Sequence, residues 1–250
     1  MTAFGAEVVR EMNRLGGEAP DWSQVSYADW VLDLAIELAR GLAESHEYGI
    51  VHCDLKPANV LVDREGRPIL VDFNVAFRRD AAASPGNVGG TLPYMAPEQI
   101  RAFAGRGYSE IGAATDLYGL GATIYELLTG RLPFGPVQSA DDGVRALLSV
   151  RKSRPRSIRR RNSLVDIEFE RLILDCMNYE IADRPQSAGE LADALERIRT
   201  RKMVDSAEAG RRRATKWGSA AAIVSLAAVI GAGIVEEQPG QNNIAQAPAK

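Results

Sequence analysis

Apolar residues recur with helical period over 28–47, where Trp30, Leu34, Ile36, Leu38, Leu42 and Ala43 form one broad face and Gly49 marks the stop. A second apolar run over 114–129 predicts a long buried helix, with Ser109 or Thr115 as its cap and Gly130 at its end. Two more helices are predicted over 164–179 and 187–201. Ser187 is a suitable N-cap for the latter, and Glu190 three residues on completes a capping box. A short helix over 4–15 ends at Gly16-Gly17. The pattern changes between these helices. Ile50-Val51, Val60-Leu61-Val62 and Ile69-Leu70-Val71 are short apolar runs of strand length. Residues 63–67 read as a hairpin turn with Gly66 at positive φ. From Arg78 to Gly90 the residues are small, polar and glycine-rich, the composition of a mobile segment.

Near the end, Trp217 to Val235 is uncharged and apolar over a length that spans a bilayer as one helix. Arg211, Arg212, Arg213 and Lys216 precede it and Trp217 suits the interface. The expectation is a single-pass cell-membrane protein with the region before the span cytoplasmic. Small residues four apart (Ala221 with Ser225, Ala228 with Ala232) offer a face for a homodimer. The tail from Glu236 is rich in Gln, Asn, Pro and Ala and is expected to be disordered.

Composition narrows the class. The 250 residues are 46% hydrophobic and 25% charged, values of an ordinary globular protein. The two cysteines, Cys53 and Cys176, form no disulfide framework, and Cys176 reads as core filler. Glu7, Arg10 and Glu11 interrupt the start, so no signal peptide is expected. A net charge of −3 gives nucleic-acid binding no global support. The basic run from Arg151 to Arg161 is expected to be a solvated loop, with contact to phosphates, an acidic substrate or anionic lipid as the alternative. It lacks interleaved aromatics, so nucleic acid is not an expected partner.

The chemistry is concentrated in His52-Cys53-Asp54-Leu55-Lys56-Pro57-Ala58-Asn59. A carboxylate, a lysine two residues on and an amide five residues on can present three groups to one point. Such a carboxylate can take or orient a hydroxyl proton, the lysine can neutralise phosphate charge, and the amide oxygen can hold a magnesium ion. Asp72-Phe73-Asn74 follows the apolar run 68–71, and Met95-Ala96-Pro97-Glu98 lies further on. The order and spacing of the three signals are those of H-R-D-L-x-x-x-N, D-F-G and A-P-E.

Over residues 1 to about 200 the chain therefore resembles the serine/threonine protein kinases, bacterial receptor-type and single-pass, and matches their C-terminal lobe only. The resemblance implies a mainly α fold: a large lobe with short β hairpins around the catalytic loop, the small lobe missing, and one transmembrane helix after it. It implies a kinase-like domain over 1–201, a basic linker over 202–216, the transmembrane helix over 217–235 and a disordered tail over 236–250. It also implies ATP and Mg2+ as cofactors and a protein substrate bearing serine or threonine. Asp54 would orient the hydroxyl and Lys56 would offset γ-phosphate charge. Asn59 and Asp72 would hold the metal, and with Leu61 would bind the nucleotide. His52 and Phe73 would stack, Thr91 would touch Asp54 and Lys56, and Glu98 would pair with Arg184. Asp116, in Asp116-Leu117-Tyr118-Gly119, resembles the aspartate of D-x-W-x-x-G that braces the loop, with tyrosine for tryptophan and an early glycine. His46 and Glu126 read as structural.

The chain departs from the family pattern in three places. Cys53 replaces an arginine and cannot fork onto a phosphate, so control through phosphorylated Ser84 or Thr91 is not expected. Asn74 replaces glycine and tolerates left-handed geometry. No G-x-G-x-x-G loop or V-A-I-K lysine is present, so weak ATP binding and slow phosphorylation are expected. The alternative is a membrane-tethered pseudokinase acting as a partner-binding scaffold.

Overall fold

A computed structural model describes residues 26–63, 67–73, 77–78, 89–106, 108–134, 143–208 and 224–225. The helix expected over 4–15, Gly66, Asn74, Ser84 and the tail lie outside the described residues, as does most of the segment 78–90 and of the run 209–235.

Helix α1 (Tyr27–Glu47) starts at Ser26, whose side chain accepts from the Asp29 N–H. It buries more than the six positions that its periodicity marks, because α6 packs on one side and α3 on another. Trp30, Val31, Leu34, Leu38 and Leu42 lie in that core, while Ala43 remains half-buried at its rim. Two-residue β1 (Ile50–Val51) leads into the motif-bearing loop and a 3-10 turn (Pro57–Asn59). Then β2 (Val60–Val62) pairs antiparallel with β3 (Pro68–Leu70), with Leu61 opposite Ile69. β4 (Phe77–Arg78) pairs back onto β1. A 3-10 turn at Leu92–Tyr94 precedes α2 (Pro97–Phe103), whose proline at the first turn needs no amide partner.

Helix α3 (Ala113–Thr129) is buried at fifteen positions, Thr115 to Thr129, and forms the centre of the molecule. Its N-cap is Gly112, neither Ser109 nor Thr115. Thr115 sits three residues inside, where its hydroxyl accepts the Gly112 N–H at 3.2 Å. Gly130 ends it at φ 67°. Three helices complete the layer: α4 (Gly143–Arg151), α5 (Ile167–Cys176) and α6 (Ala188–Glu208). Asp166 caps α5 and trims it from the expected 164–179. Helix α6 runs past residue 201. Ser187 accepts from the Glu190 N–H as expected, but the Glu190 carboxylate accepts the backbone N–H of Gln186 instead of that of Ser187. The basic run 151–161 does not behave as one solvated loop, since Arg151 and Ile158 are buried.

β5 (Val224–Ser225) pairs antiparallel with β2. These are the residues of the expected transmembrane helix that the structure describes, and they form a strand. No described helix is long and apolar enough to cross a membrane.

Glycine sets the crossing of α3 and α5. A Cβ at Gly121 would lie 2.8 Å from the Cys176 Cβ and 3.1 Å from the Ile173 carbonyl, so α3 and α5 touch backbone to backbone there. Gly121, rather than the early Gly119, therefore occupies the last position of the D-x-W-x-x-G spacing. Gly121→Ala is expected to cost about 1–3 kcal/mol by overpacking. Gly41→Ala, in α1 with nothing within 4 Å, is expected to be neutral or stabilising. Urea melts of the two variants check this, and equal midpoints would refute it.

Candidate active site

The loop after β1 is held in a shape that its residues do not prefer. Cys53 and Asp72 are the described non-glycine residues at positive φ, 65° and 66°. Such conformations cost on the order of 1–3 kcal/mol each and persist where the surroundings impose them. Buried Asp116 imposes the first. Its Oδ2 accepts the His52 amide and its Oδ1 the Cys53 amide, each at 2.8 Å. His46 Nε2 meets the same Oδ2 at 2.8 Å. Gln99 Nε2 donates to the Cys53 carbonyl at 2.6 Å. Gly90, at φ 136°, approaches that carbonyl so closely that a Cβ would sit 3.0 Å from it. Both peptide groups flanking Cys53 are thus pinned, and its side chain is buried filler.

Fully buried His52 links this loop to the next. Its Nδ1 accepts the Asp54 amide at 3.3 Å and its Nε2 lies 3.1 Å from the Val71 carbonyl. An N–H donor facing Nδ1 and a carbonyl facing Nε2 assign the Nε2–H tautomer. Phe73 packs on it with ring centroids 4.5 Å apart. The Val71 amide in turn donates to the Asn59 carbonyl at 3.0 Å. Asp72 therefore emerges one residue from a peptide clamped between Asn59 and His52, with its side chain exposed. Leu61, half-buried on β2, lies two residues beyond Asn59.

Asp54 is the focus. Its Oδ2 takes the Lys56 ammonium at 2.7 Å, and Lys56 donates also to the Thr91 hydroxyl at 2.9 Å. Asn59 Nδ2 donates to the Asp54 carbonyl at 2.8 Å and reaches Oδ2 at 3.3 Å. Burial pushes the Asp54 carboxyl up, but hydrogen bonds from Lys56 and Thr91 and the Lys56 charge outweigh it, so its pKa lies below the ordinary aspartate value. It is therefore an anion at neutral pH. Its buried Oδ1 accepts no hydrogen bond of normal geometry. A buried anionic oxygen without a donor is costly, and an alcohol O–H directed at it removes the cost. Asn59 commits its nitrogen to Asp54, so its amide oxygen is the atom left for a hard cation, and the Asp72 carboxylate is a second hard donor. Two oxygen donors of this kind suit a hard divalent cation such as magnesium.

Below this point lies the Glu98–Arg184 pair, wholly buried and bidentate at 2.7 and 2.9 Å. Further residues around the site were not legible as site residues. Tyr94 donates to Glu126 at 2.5 Å, and burial raises the Glu126 pKa although that bond opposes it. Arg151 is a fully buried cation whose guanidinium donates to the carbonyls of Leu92, Pro93 and Met95 and lies 4.6 Å over the Phe134 ring. Burial lowers its pKa. It fastens the segment that carries Thr91 and Tyr94. Its place at the end of α4 looks like the start of a basic run, and carbonyls brought by a distant segment leave no mark near it in sequence. Gln99 and His46 brace the loop without any motif to announce them.

Residues 23–195 match the family model described as protein kinase domain. The chain is 31% identical over 204 residues to serine/threonine-protein kinase pkn3 of Myxococcus xanthus, covering 75% of this chain and 36% of that protein. It is 39% identical over 170 residues to serine/threonine-protein kinase PkaA of Streptomyces coelicolor, covering 65% of this chain and 28% of that protein. With serine/threonine-protein kinase PknB of Mycolicibacterium smegmatis it shares 31% identity over 177 residues, 67% of this chain and 26% of that protein. The matched stretch thus spans little more than a third, or less, of the length of these relatives.

Proposed function

The chain belongs to the protein kinase family, and we propose that it transfers the γ-phosphoryl group of ATP to serine or threonine hydroxyls of proteins. One observation carries this reading. The ionised Asp54 carboxylate has Oδ2 occupied by Lys56 and leaves Oδ1 to receive an alcohol proton. A hydroxyl donated to Oδ1 has its lone pair directed away from the carboxylate, toward a phosphorus beyond it. Lys56, bridging Asp54 and Thr91, holds a positive charge beside the path of transfer. Asn59, through its amide oxygen, and Asp72 would hold magnesium, with Leu61 alongside them against the nucleotide. Mg-ATP, when bound, supplies the phosphoryl group and spreads its negative charge. Asp116, His52 and Gln99 keep the loop in its strained shape, so little reorganisation accompanies the reaction.

The described helices correspond, in this reading, to the larger lobe of the family fold. Residues 1–250 hold no G-x-G-x-x-G loop and no V-A-I-K lysine. Transfer by this polypeptide is therefore expected to be slow and to saturate only at high nucleotide. The test is incubation with Mg-ATP and a generic protein substrate, followed by phosphoamino-acid analysis. Phosphoserine or phosphothreonine above a no-enzyme control supports the reading. No incorporation by the wild type leaves the scaffold alternative.

We also place the site on the cytoplasmic side of a cell membrane, anchored by 217–235. The uncharged run and the basic residues before it support this. Val224 and Ser225 cannot both pair with β2 and lie in a bilayer, so the two arrangements exclude each other. Alkaline carbonate extraction decides between them: retention in the membrane pellet is expected, and release into the supernatant would discard the anchor.

A further inference from the structure

A cleft of about 720 Å3 opens between α2 and α4, away from Asp54, and the reaction above makes no use of it. Arg101, Arg106, Arg145 and Lys152 line it, with Tyr179 and Leu148. Among the described residues one ion pair is recorded for these four cations, Arg101 to Glu110 at 3.1 Å. Arg101 and Lys152 both lie over the Tyr179 ring, 5.1 and 5.3 Å from its centroid. Two like charges held on one aromatic ring repel each other, and an anion between them relieves that repulsion.

The spacing of the charges says what shape of anion fits. Lys152 directly follows the last residue of α4, seven residues or about two helical turns beyond Arg145, and both line the cleft. At 1.5 Å per residue that is about 10 Å along the helix axis. An extended peptide covers the same distance in about three residues. One phosphate is a point on this scale and meets one end of the cleft only. A short run of carboxylates meets both ends. The cleft also adjoins the segment that carries Thr91, the partner of Lys56, because Lys152 follows Arg151, whose guanidinium grips Leu92 to Met95, and α2 begins two residues after Met95.

We infer that this cleft docks an acidic stretch of the protein substrate, an extended segment of about three Asp or Glu residues. The word substrate rests on the transfer proposed for Asp54, whereas the binding of an acidic segment does not. The test uses the full chain without nucleotide and follows fluorescein-labelled hexaglutamate by anisotropy, with hexalysine as the control. The wild type is expected to bind hexaglutamate in a salt-sensitive manner and to ignore hexalysine. Arg145→Glu with Lys152→Glu is expected to weaken binding by about tenfold or more, whereas Asp54→Ala leaves it unchanged. If the double variant melts early, Arg145→Glu alone, at an exposed position, carries the test with a smaller loss. Equal binding by wild type and variant, or no binding by the wild type, overturns the inference. Displacement of hexaglutamate by inorganic phosphate at constant ionic strength also overturns it, because it assigns the cleft to a compact dianion. Loss of phosphotransfer with hexaglutamate binding intact refutes the reaction and leaves the docking site standing.

Discussion

Arg184→Ala is expected to lower the stability of the fold by about 3–5 kcal/mol, read as a fall in urea midpoint at fixed pH. The size follows from what the guanidinium holds. Its two terminal nitrogens meet the two Glu98 oxygens, and both side chains are fully excluded from water. The remaining hydrogens go to the carbonyls of Asn178, Tyr179 and Ala114. The face of the ion lies 5.1 Å over the Tyr118 ring. One side chain therefore joins the start of α2, the start of α3 and the turn before α6. Truncation strands a buried carboxylate with Thr115, at 3.0 Å, as its remaining recorded donor, and strips three carbonyls. Domains of ordinary stability have about 5–15 kcal/mol in total, so the variant loses a large share. Two comparisons separate the pair from mere packing. Glu98→Gln keeps the shape but removes the charge, and is expected to cost less than Arg184→Ala. Replacing both residues by methionine removes both charges and is expected to recover part of the loss, since the penalty lies in the uncompensated ion. An Arg184→Ala midpoint within error of wild type would show that the pair contributes nothing.

How much of this was legible in sequence depends on the range of the physics that sets each feature. The periodic faces of α1 and α3 are local, and both helices lie within a residue of where their pattern places them. The caps are less local. Ser109 and Thr115 are the right residue types, yet Gly112 starts α3, because Thr115 serves from inside the first turn. Two-residue β4 exists because β1 offers it a partner, and no window of sequence contains that partner. The reacting residues were legible for a different reason. Asp54, Lys56 and Asn59 lie within six consecutive positions, and Asp116, Thr91 and Arg184 fall at motif positions. What the motifs omit is the brace behind them. Arg151 looks like one cation among seven over 151–161, yet it alone of the seven is buried. Its burial is set by three carbonyls more than fifty residues away, at Leu92, Pro93 and Met95. Gly121 looks like a second glycine in a helix until Cys176 is seen to occupy the space of its missing side chain.

Asp54→Asn is expected to reduce phosphotransfer by about 10²–10⁴-fold while leaving the melting temperature near that of the wild type. Asparagine has the same shape, so packing is kept. Lys56 Nζ and Asn59 Nδ2 are both donors aimed at one oxygen, and they orient the new amide with its carbonyl toward them. Its NH2 then occupies the place of Oδ1. Where the carboxylate accepted an alcohol proton, the variant presents hydrogens, so the incoming hydroxyl meets a donor in place of an acceptor. Asp54→Ala, which leaves a space that water can fill, is expected to lose no more than the asparagine variant. That ordering is the signature of a proton acceptor, since a role in packing alone would make alanine the worse of the two. The pH profile supplies a second reading. The Asp54 carboxyl titrates below the ordinary aspartate value because Lys56 and Thr91 favour its charged form. The group is therefore ionised throughout the range from about pH 5 to 8, above the usual aspartate pKa of about 3.9. The wild-type rate should show no acid limb in that range. A limb near pH 6 to 7, or an asparagine variant that retains more than about a tenth of the wild-type rate, would remove Asp54 from the reaction.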